Sequence, residues 1–352
     1  MNATKNLRDP NKKIKVEFER APLKVRLKEK YLSLFFAKKL VWYLFRLILL
    51  IGVSFIVIYP FITKIAASFM EFQDFTLSYV RIIPAHFTFD TYISIFEELD
   101  YITAFANTTI LAVGCALIQT FICCAVGYGL AKFKFKGAKW IFLAVILTMV
   151  IPHATLQLSM ATFFTNMDLR DPINAALNGP GLFETIMGQP INLYNSYFPF
   201  MVLSITALGF KNGLYIFLFR QFFRGVPDEL EESAYIDGSG IMKTFVRVIL
   251  PLSVPMLITV FLFAFSWQWT DTFYTDLFLS PSQGMTMLTD LIDKTPRSLA
   301  LNMQGFDAVS SIISSAIKGT CGIMIIMPLV IVYVFCQKFL VQGIERSGLT
   351  AD

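Results

Sequence analysis

"DELEESAYIDGSGIMKTFVRVILPLSVP", Asp228 to Pro255, is a polar, acid-led stretch set between two strongly apolar runs. Read locally it is a pair of short helices. Pro227 suits a first helical position, where a missing N–H costs nothing. Asp228, Glu229, Glu231 and Glu232 crowd the first turns, where the helix dipole favours anions. Leu230, Ala234 and Ile236 fall on one side, and Ser233 and Ala234 are small enough for another backbone to approach. Gly238 and Gly240 stop this helix, Gly238 being suited to a left-handed C-cap. A second helix is expected from Ile241, with Phe245, Val248 and Ile249 as its apolar side. Leu250-Pro251 is expected to end it, because Pro251 has no N–H for residue 247. A solvated linker is the bland reading. A linker needs neither caps nor apolar faces, whereas a docking element needs both, and lipid is the wrong partner for four acids.

The chain around this stretch is greasy. Of 352 residues 55% are hydrophobic, 15% aromatic and only 16% charged, against about 25% charged in a soluble domain. Six runs are long and apolar enough for the roughly 20 helical residues that cross a bilayer core: 41–62, 108–130, 140–162, 197–219, 252–269 and 313–335. The expected fold class is therefore all-α, a polytopic membrane protein with six transmembrane helices. Pro152 should kink the third run.

Loop charge sets the expected orientation. Residues 1–39 carry twelve Lys/Arg, and "AKFKFKGAK" (131–139) has four lysines and no acid. The loop 63–107 holds six acids beside Lys64 and Arg81, and 270–312 holds five acids beside Lys294 and Arg297. Basic and acid-rich loops alternate, so both termini and the quoted stretch are expected in the cytoplasm of a cell-membrane protein. The basic tail is expected to lie on anionic lipid; without interleaved aromatics it does not read as a nucleic-acid arm. The outer loop 68–96 is aromatic and amphipathic, as an interfacial helix or hairpin would be.

Catalytic and metal chemistry find no footing. The five cysteines (Cys115, Cys123, Cys124, Cys321, Cys336) lie in apolar runs without metal-ligand spacing, and the two histidines, His86 and His153, form no HExxH pair. No phosphate-cradling G-x-x-x-x-G-K-[ST] occurs, so the chain is not expected to bind or hydrolyse ATP itself, and no cofactor or metal is expected on it. Polar groups inside spans usually face the interior or water. Candidates for a translocation path are Asn107, Gln119, His153, Gln157, Asn212, Gln268 and Asp271, with Trp267, Trp269 and Tyr274 as rings on which a sugar could stack. For each, a helix–helix hydrogen bond or an interfacial aromatic is the competing reading. Lys211 lies deeper than Arg46 or Lys318 and calls for a partner.

The quoted stretch also resembles the signature loop of ATP-binding-cassette importer permeases: Glu-Ala-Ala, three residues, Gly, nine residues, Ile-x-Leu-Pro. Here it runs Glu232-Ser233-Ala234, three residues, Gly238, nine residues, Val248-Ile249-Leu250-Pro251. The spacing is kept; Ser233 and Val248 depart from it. "AFANTTILAVG", "GYGLAKFKFKG", "NSYFPFMVLSITA" and "FLFRQFFRGVPDELEESAYIDG" resemble the carbohydrate subgroup, the second permease subunit of maltose-type importers above all. "FSWQWTDTF" departs from that subgroup's Trp-Asn-Asp, with Gln268 and Thr270 flanking Trp269 ahead of Asp271.

The resemblance implies a type I permease core whose coupling loop, 226–251, docks a cytoplasmic ATPase through Glu231, Glu232, Ser233, Ala234, Asp237, Gly238, Val248, Leu250 and Pro251. Glu232 is the expected polar contact. It implies a heterodimer with a second permease, two ATPase subunits that use ATP and Mg, and an extracellular solute-binding protein. In some relatives the C-terminal tail reaches the ATPase interface. The implied layout is a basic tail (1–39), a first span and outer loop (40–104), a core of five spans (105–342) and a C-terminal tail (343–352). A secondary transporter, or such a permease for a non-sugar solute, is the alternative; the former usually carries intramembrane carboxylates, and no Asp or Glu lies in the six runs.

Overall fold

A computed structural model describes residues 34–167, 185–186, 191–209 and 211–346. The expectations for residues 1–33 of the basic tail, and for the tail beyond 346, lie outside the described residues. The chain divides into two units, residues 1–63 and 64–352. In the first, the described chain is helical from Leu34, and this helix, α1, runs on to Ala67.

The second unit is helical among its described residues, with only isolated bridges, Met70–Phe87 and Met167–Ile191, in place of strands. In order come α2 (Asp90–Glu98), α3 (Tyr101–Lys132), α4 (Ala138–Val150), α5 (Gln157–Thr165), α6 (Phe198–Ile205), α7 (Asn212–Arg224), α8 (Glu229–Ile236), α9 (Ile241–Leu252), α10 (Val254–Trp269), α11 (Phe273–Phe278), α12 (Arg297–Asn302) and α13 (Ser310–Arg346). Three helices among the described residues are long and apolar enough to cross a membrane, or five if each bent pair is one span.

The bends have identifiable causes. The third run folds at Pro152, where α4 and the segment His153–Thr165 meet at 95°. The fourth run is in two pieces, α6 and α7, with Ala207 (φ 58°) and Lys211 (φ 66°) in the left-handed region at either end of the interruption. Inside a membrane, irregular backbone is tolerated only where protein covers it or a cavity adjoins it. Here the N–H groups of Leu208 and Gly209 both turn back to the Leu203 carbonyl, at 3.0 and 2.9 Å.

The core forms where α3, α7, α10 and α13 meet. Tyr215, Phe219, Phe223, Met256, Val260 and Ile313 are buried within it. Lipid tails are as apolar as Leu, so close packing rather than water exclusion holds such helices together. Gly127 shows how close: a Cβ there would lie 2.5 Å from Phe219 Cβ. The small residue is what lets α3 and α7 touch. A second cluster joins Leu111, Cys115, Phe164, Phe200, Phe278 and Met287. Four of the five cysteines are buried in these clusters or beside them, as small apolar side chains.

The segment 68–98 combines a hairpin and a helix. Phe69 stacks on Phe87 with ring centroids 5.0 Å apart, and Phe89 meets both edge-on. Asp74 is buried under the hairpin, taking N–H bonds from Ala85 (3.0 Å) and His86 (2.9 Å) and pairing with His86 Nδ1 at 2.6 Å.

Candidate functional site: the acidic loop and the interrupted span

The quoted stretch folds as two helices joined by a glycine turn. α8 starts two residues later than the sequence suggests, at Glu229 rather than Pro227: Asp228 precedes it and its carbonyl receives the N–H of Glu231 and of Glu232, both at 3.0 Å. Pro227 therefore lies just outside the first turn. Gly238 adopts φ 78°, Ser239 N donates to Ala234 O (2.9 Å) and Gly238 N to Tyr235 O (3.0 Å), a left-handed closure of the helix end.

The expectation that Leu250-Pro251 ends the second helix is corrected. α9 runs through Pro251 to Leu252, because Phe245–Ile249 widens into a π turn. A wider turn removes the demand for a Pro251 N–H to residue 247. The chain bends instead at Ser253, by 76°, before α10 begins. There Ser253 N bonds Ile249 O (3.0 Å) and Ser253 Oγ bonds Leu250 O (2.8 Å).

The loop is held against the end of α3. Lys132 Nζ donates to Val226 O at 2.6 Å and meets Asp228 Oδ1 at 2.5 Å and Glu231 Oε1 at 3.5 Å. Tyr128 Oη donates to Glu231 Oε2 at 3.3 Å, while its ring packs on Phe223 and Phe245. The Lys132 bond and charge hold the Asp228 carboxyl below the ordinary carboxylate range.

This sorts the sequence candidates. Glu231 and Ala234 face inward and are buried; Val248 and Leu250 are half-buried against the core. Glu232, Ser233, Asp237, Gly238 and Pro251 are exposed. The single apolar side expected of Leu230, Ala234 and Ile236 does not form: Ala234 turns in, while Leu230 and Ile236 turn out. Ile236 is 86% exposed and Met242 74%, with Tyr235 and Ile241 exposed beside them. The second helix packs through Phe245, Val248 and Ile249, as its pattern suggests.

The polar candidates in the spans divide as well. Asn107 Nδ2 bonds Thr286 O (3.1 Å), Gln119 Nε2 bonds Ser204 Oγ (3.1 Å), and Trp269 Nε1 bonds Ile325 O (2.9 Å). Gln157 is exposed, Asn212 is fully buried and Gln268 is half-buried. Asp271 takes the N–H groups of Tyr274 and Thr275, 3.2 and 3.1 Å from its Oδ2, at the start of α11. Beside the interruption of the fourth run, a cavity of about 130 Å³ is lined by His153, Gly209 and Lys211 among others. His153 Nδ1 lies 2.7 Å from Tyr274 Oη, and Lys211 Nζ lies 4.9 Å over the Trp267 ring. That ring is the partner the sequence did not disclose for Lys211, 56 positions away.

The described chain is thus helical, with helices long and apolar enough to cross a membrane and a capped loop whose far side is turned outward. The family model for the binding-protein-dependent transport system inner membrane component matches residues 124–346, and the chain belongs to that family. It is 23% identical over 300 residues to the inner membrane ABC transporter permease protein YcjP of Escherichia coli (strain K12), covering 84% of this chain and 91% of that protein. It is 25% identical over 300 residues to the arabinooligosaccharides transport system permease protein AraQ of Halalkalibacterium halodurans, covering 84% and 92%. Among solved structures, a bacterial ABC transporter involved in import of the acidic polysaccharide alginate is similar in fold, with a TM-score of 0.63 and 20% identity, covering 86% of this chain and 97% of that one.

Proposed function

We propose that the chain is one permease subunit of an ATP-binding-cassette importer that takes in a sugar, an oligosaccharide above all. It works beside a second permease, on two cytoplasmic ATPase subunits, and receives its solute from an extracellular binding protein. Both termini and the α8–α9 loop face the cytoplasm, as the alternation of basic and acidic loops argues. ATP and Mg belong to the partner ATPase. The observation that carries this reading is the α8–α9 loop: Gly238 holds it at a fixed turn, Lys132 and Tyr128 hold it on the core, and Tyr235, Ile236, Ile241 and Met242 remain exposed. Exposed apolar side chains on either side of the glycine turn, beside the acids of α8, suit the cleft of a protein partner better than water or lipid.

The sugar reading draws support from relatives whose names refer to saccharides, arabinooligosaccharides and galactooligosaccharides among them. In this mechanism ATP binding closes the ATPase dimer and pushes the loop. Glu232, Ser233, Asp237 and Gly238, exposed on its outer face, touch the ATPase; Glu231 and Ala234 anchor the inner face. The bend at Ser253 passes the movement into α10, whose far end carries Trp267 and, past Trp269, leads to Asp271, next to the interrupted fourth run. The test is uptake into vesicles holding both permeases and the ATPase, supplied with the binding protein and a panel of mono- and oligosaccharides. ATP-dependent uptake of at least one saccharide is the expected result; saccharides left outside while another solute class enters would sink the sugar reading.

A further inference from the structure

The ends of α3 are tied to two different loops by polar contacts. At one end Lys132 and Tyr128 grip Val226, Asp228 and Glu231. At the other, Asn107 Nδ2 bonds Thr286 O, and Thr108 Oγ1 accepts the N–H of Leu288 at 2.9 Å. Both sets of contacts lie on one unbroken helix of 32 residues, Tyr101–Lys132, with no proline, and from Asn107 to Lys132 it spans about 37 Å at 1.5 Å per residue. Close packing at Gly127 fastens its inner half to α7, the helix that leads into the acidic loop. By contrast the connection from that loop to α10 passes through a π turn and a 76° bend. The straight element is the stiffer of the two.

We propose that α3 is a transmission rod. Lys132 and Tyr128 are positioning residues that hold the acidic loop on its inner end, and Asn107 and Thr108 deliver the loop's movement to the 286–288 segment at its outer end. The Lys132 side chain is only 6% exposed and that of Glu231 only 10%. Removing Lys132 would leave the Glu231 carboxylate buried with only the Tyr128 hydroxyl beside it, so the grip is costly to break from that side. The contact to Asp228, whose side chain is 78% exposed, guides rather than anchors. The loop and the rod then move as one body, and the bent connection through Ser253 to α10 is the more compliant second route.

The inference about transmission rests on the importer reading; the grip itself does not. The grip is tested on the full chain alone, in lipid, by amide exchange across residues 229–236. Lys132→Met is expected to speed exchange there at least about fivefold, with Lys132→Arg near wild type. Tyr128→Phe, which removes one hydroxyl, serves if Lys132→Met does not insert. Unchanged exchange in the variants that insert overturns the grip. Transmission is tested in the assembled transporter as the ratio of ATP hydrolysis with and without loaded binding protein. Lys132→Met and Thr108→Val are each expected to lower that ratio at least about fivefold. A charge swap, Lys132→Glu with Glu231→Lys, should recover part of the Lys132 loss. A wild-type ratio in both single variants overturns the rod. A wild-type transporter that shows no stimulation refutes the importer reading instead, and leaves the exchange result to decide the grip.

Discussion

Tyr101 Oη donates to the carbonyl of Met324 at 2.9 Å, and that carbonyl is the one Pro328, four residues on, cannot serve. A proline inside a helix removes one N–H and leaves one acceptor orphaned. Here a phenol from α3 supplies the missing donor, and Trp269 Nε1 bonds the next carbonyl, Ile325 O, at 2.9 Å. The proline in α13 is thus accommodated by its neighbours.

This pairing makes a double-mutant expectation. Tyr101→Phe should cost about 1 kcal/mol of stability, the order of a buried interhelical bond. Restoring an N–H with Pro328→Ala should remove most of that cost. Unfolding midpoints of the four proteins of the cycle decide it, and two additive mutations would show that the phenol does not replace the proline's donor.

Glycine packing between α3 and α7 yields a second contrast on one helix. Gly127→Ala places a Cβ 2.5 Å from Phe219 Cβ, whereas the nearest atom to a Cβ at Gly129 is 3.9 Å away. Overpacking of this kind costs about 1–3 kcal/mol. Thermal denaturation should show Gly127→Ala clearly destabilised and Gly129→Ala close to wild type; equal midpoints would mean that the helices part freely.

The glycine turn is a matter of backbone angle, not of space. Nothing lies within 4 Å of a Cβ built on Gly238, yet φ is 78°. A β-branched residue there should cost about 1–2 kcal/mol and turn the loop, whereas Asn tolerates this region. Gly238→Asn should retain most uptake and Gly238→Val lose it while both insert in the membrane. Full uptake by Gly238→Val would remove the turn from the account.

At the Met70–Phe87 hairpin the expectation concerns pH. Burial alone would raise the Asp74 carboxyl, but hydrogen bonds from the His86 backbone and ring and from Ala85 N outweigh it and hold the carboxyl below its ordinary 3.8. The fold therefore favours the charged form. Its contribution is complete at neutral pH, fades as pH falls below about 4, and is gone beneath the lowered folded value. Amide exchange of residues 70–89 should accelerate over that window in the wild type. Asp74→Asn should exchange faster at neutral pH and show a flatter response to acid.

The apolar runs, the proline kink and the glycine turn are legible in the sequence, because each is written in neighbouring residues. Period, caps and loop charge are local signals. What such signals miss is long-range. Lys132 counts in the sequence as one of four lysines that mark a cytoplasmic loop; only the fold brings it to Asp228, 96 positions later. The inward turn of Glu231, one residue before the expected Glu232 contact, depends on that approach. The π turn that carries the helix through Pro251 has no composition of its own, and the interruption of the fourth run went unread within a run that is apolar on both sides of it. Gly209 and the Asn212-Gly213 pair were the residues that could have disclosed it.

The central claim is that this polypeptide is moved by a separate ATPase through its acidic loop. Solute flux into lipid vesicles measures it most directly, comparing the purified chain alone with the complete transporter, binding protein included, with and without ATP. The account expects flux only in the complete set supplied with ATP. Sustained solute entry through the chain by itself, with no ATPase present, would contradict it.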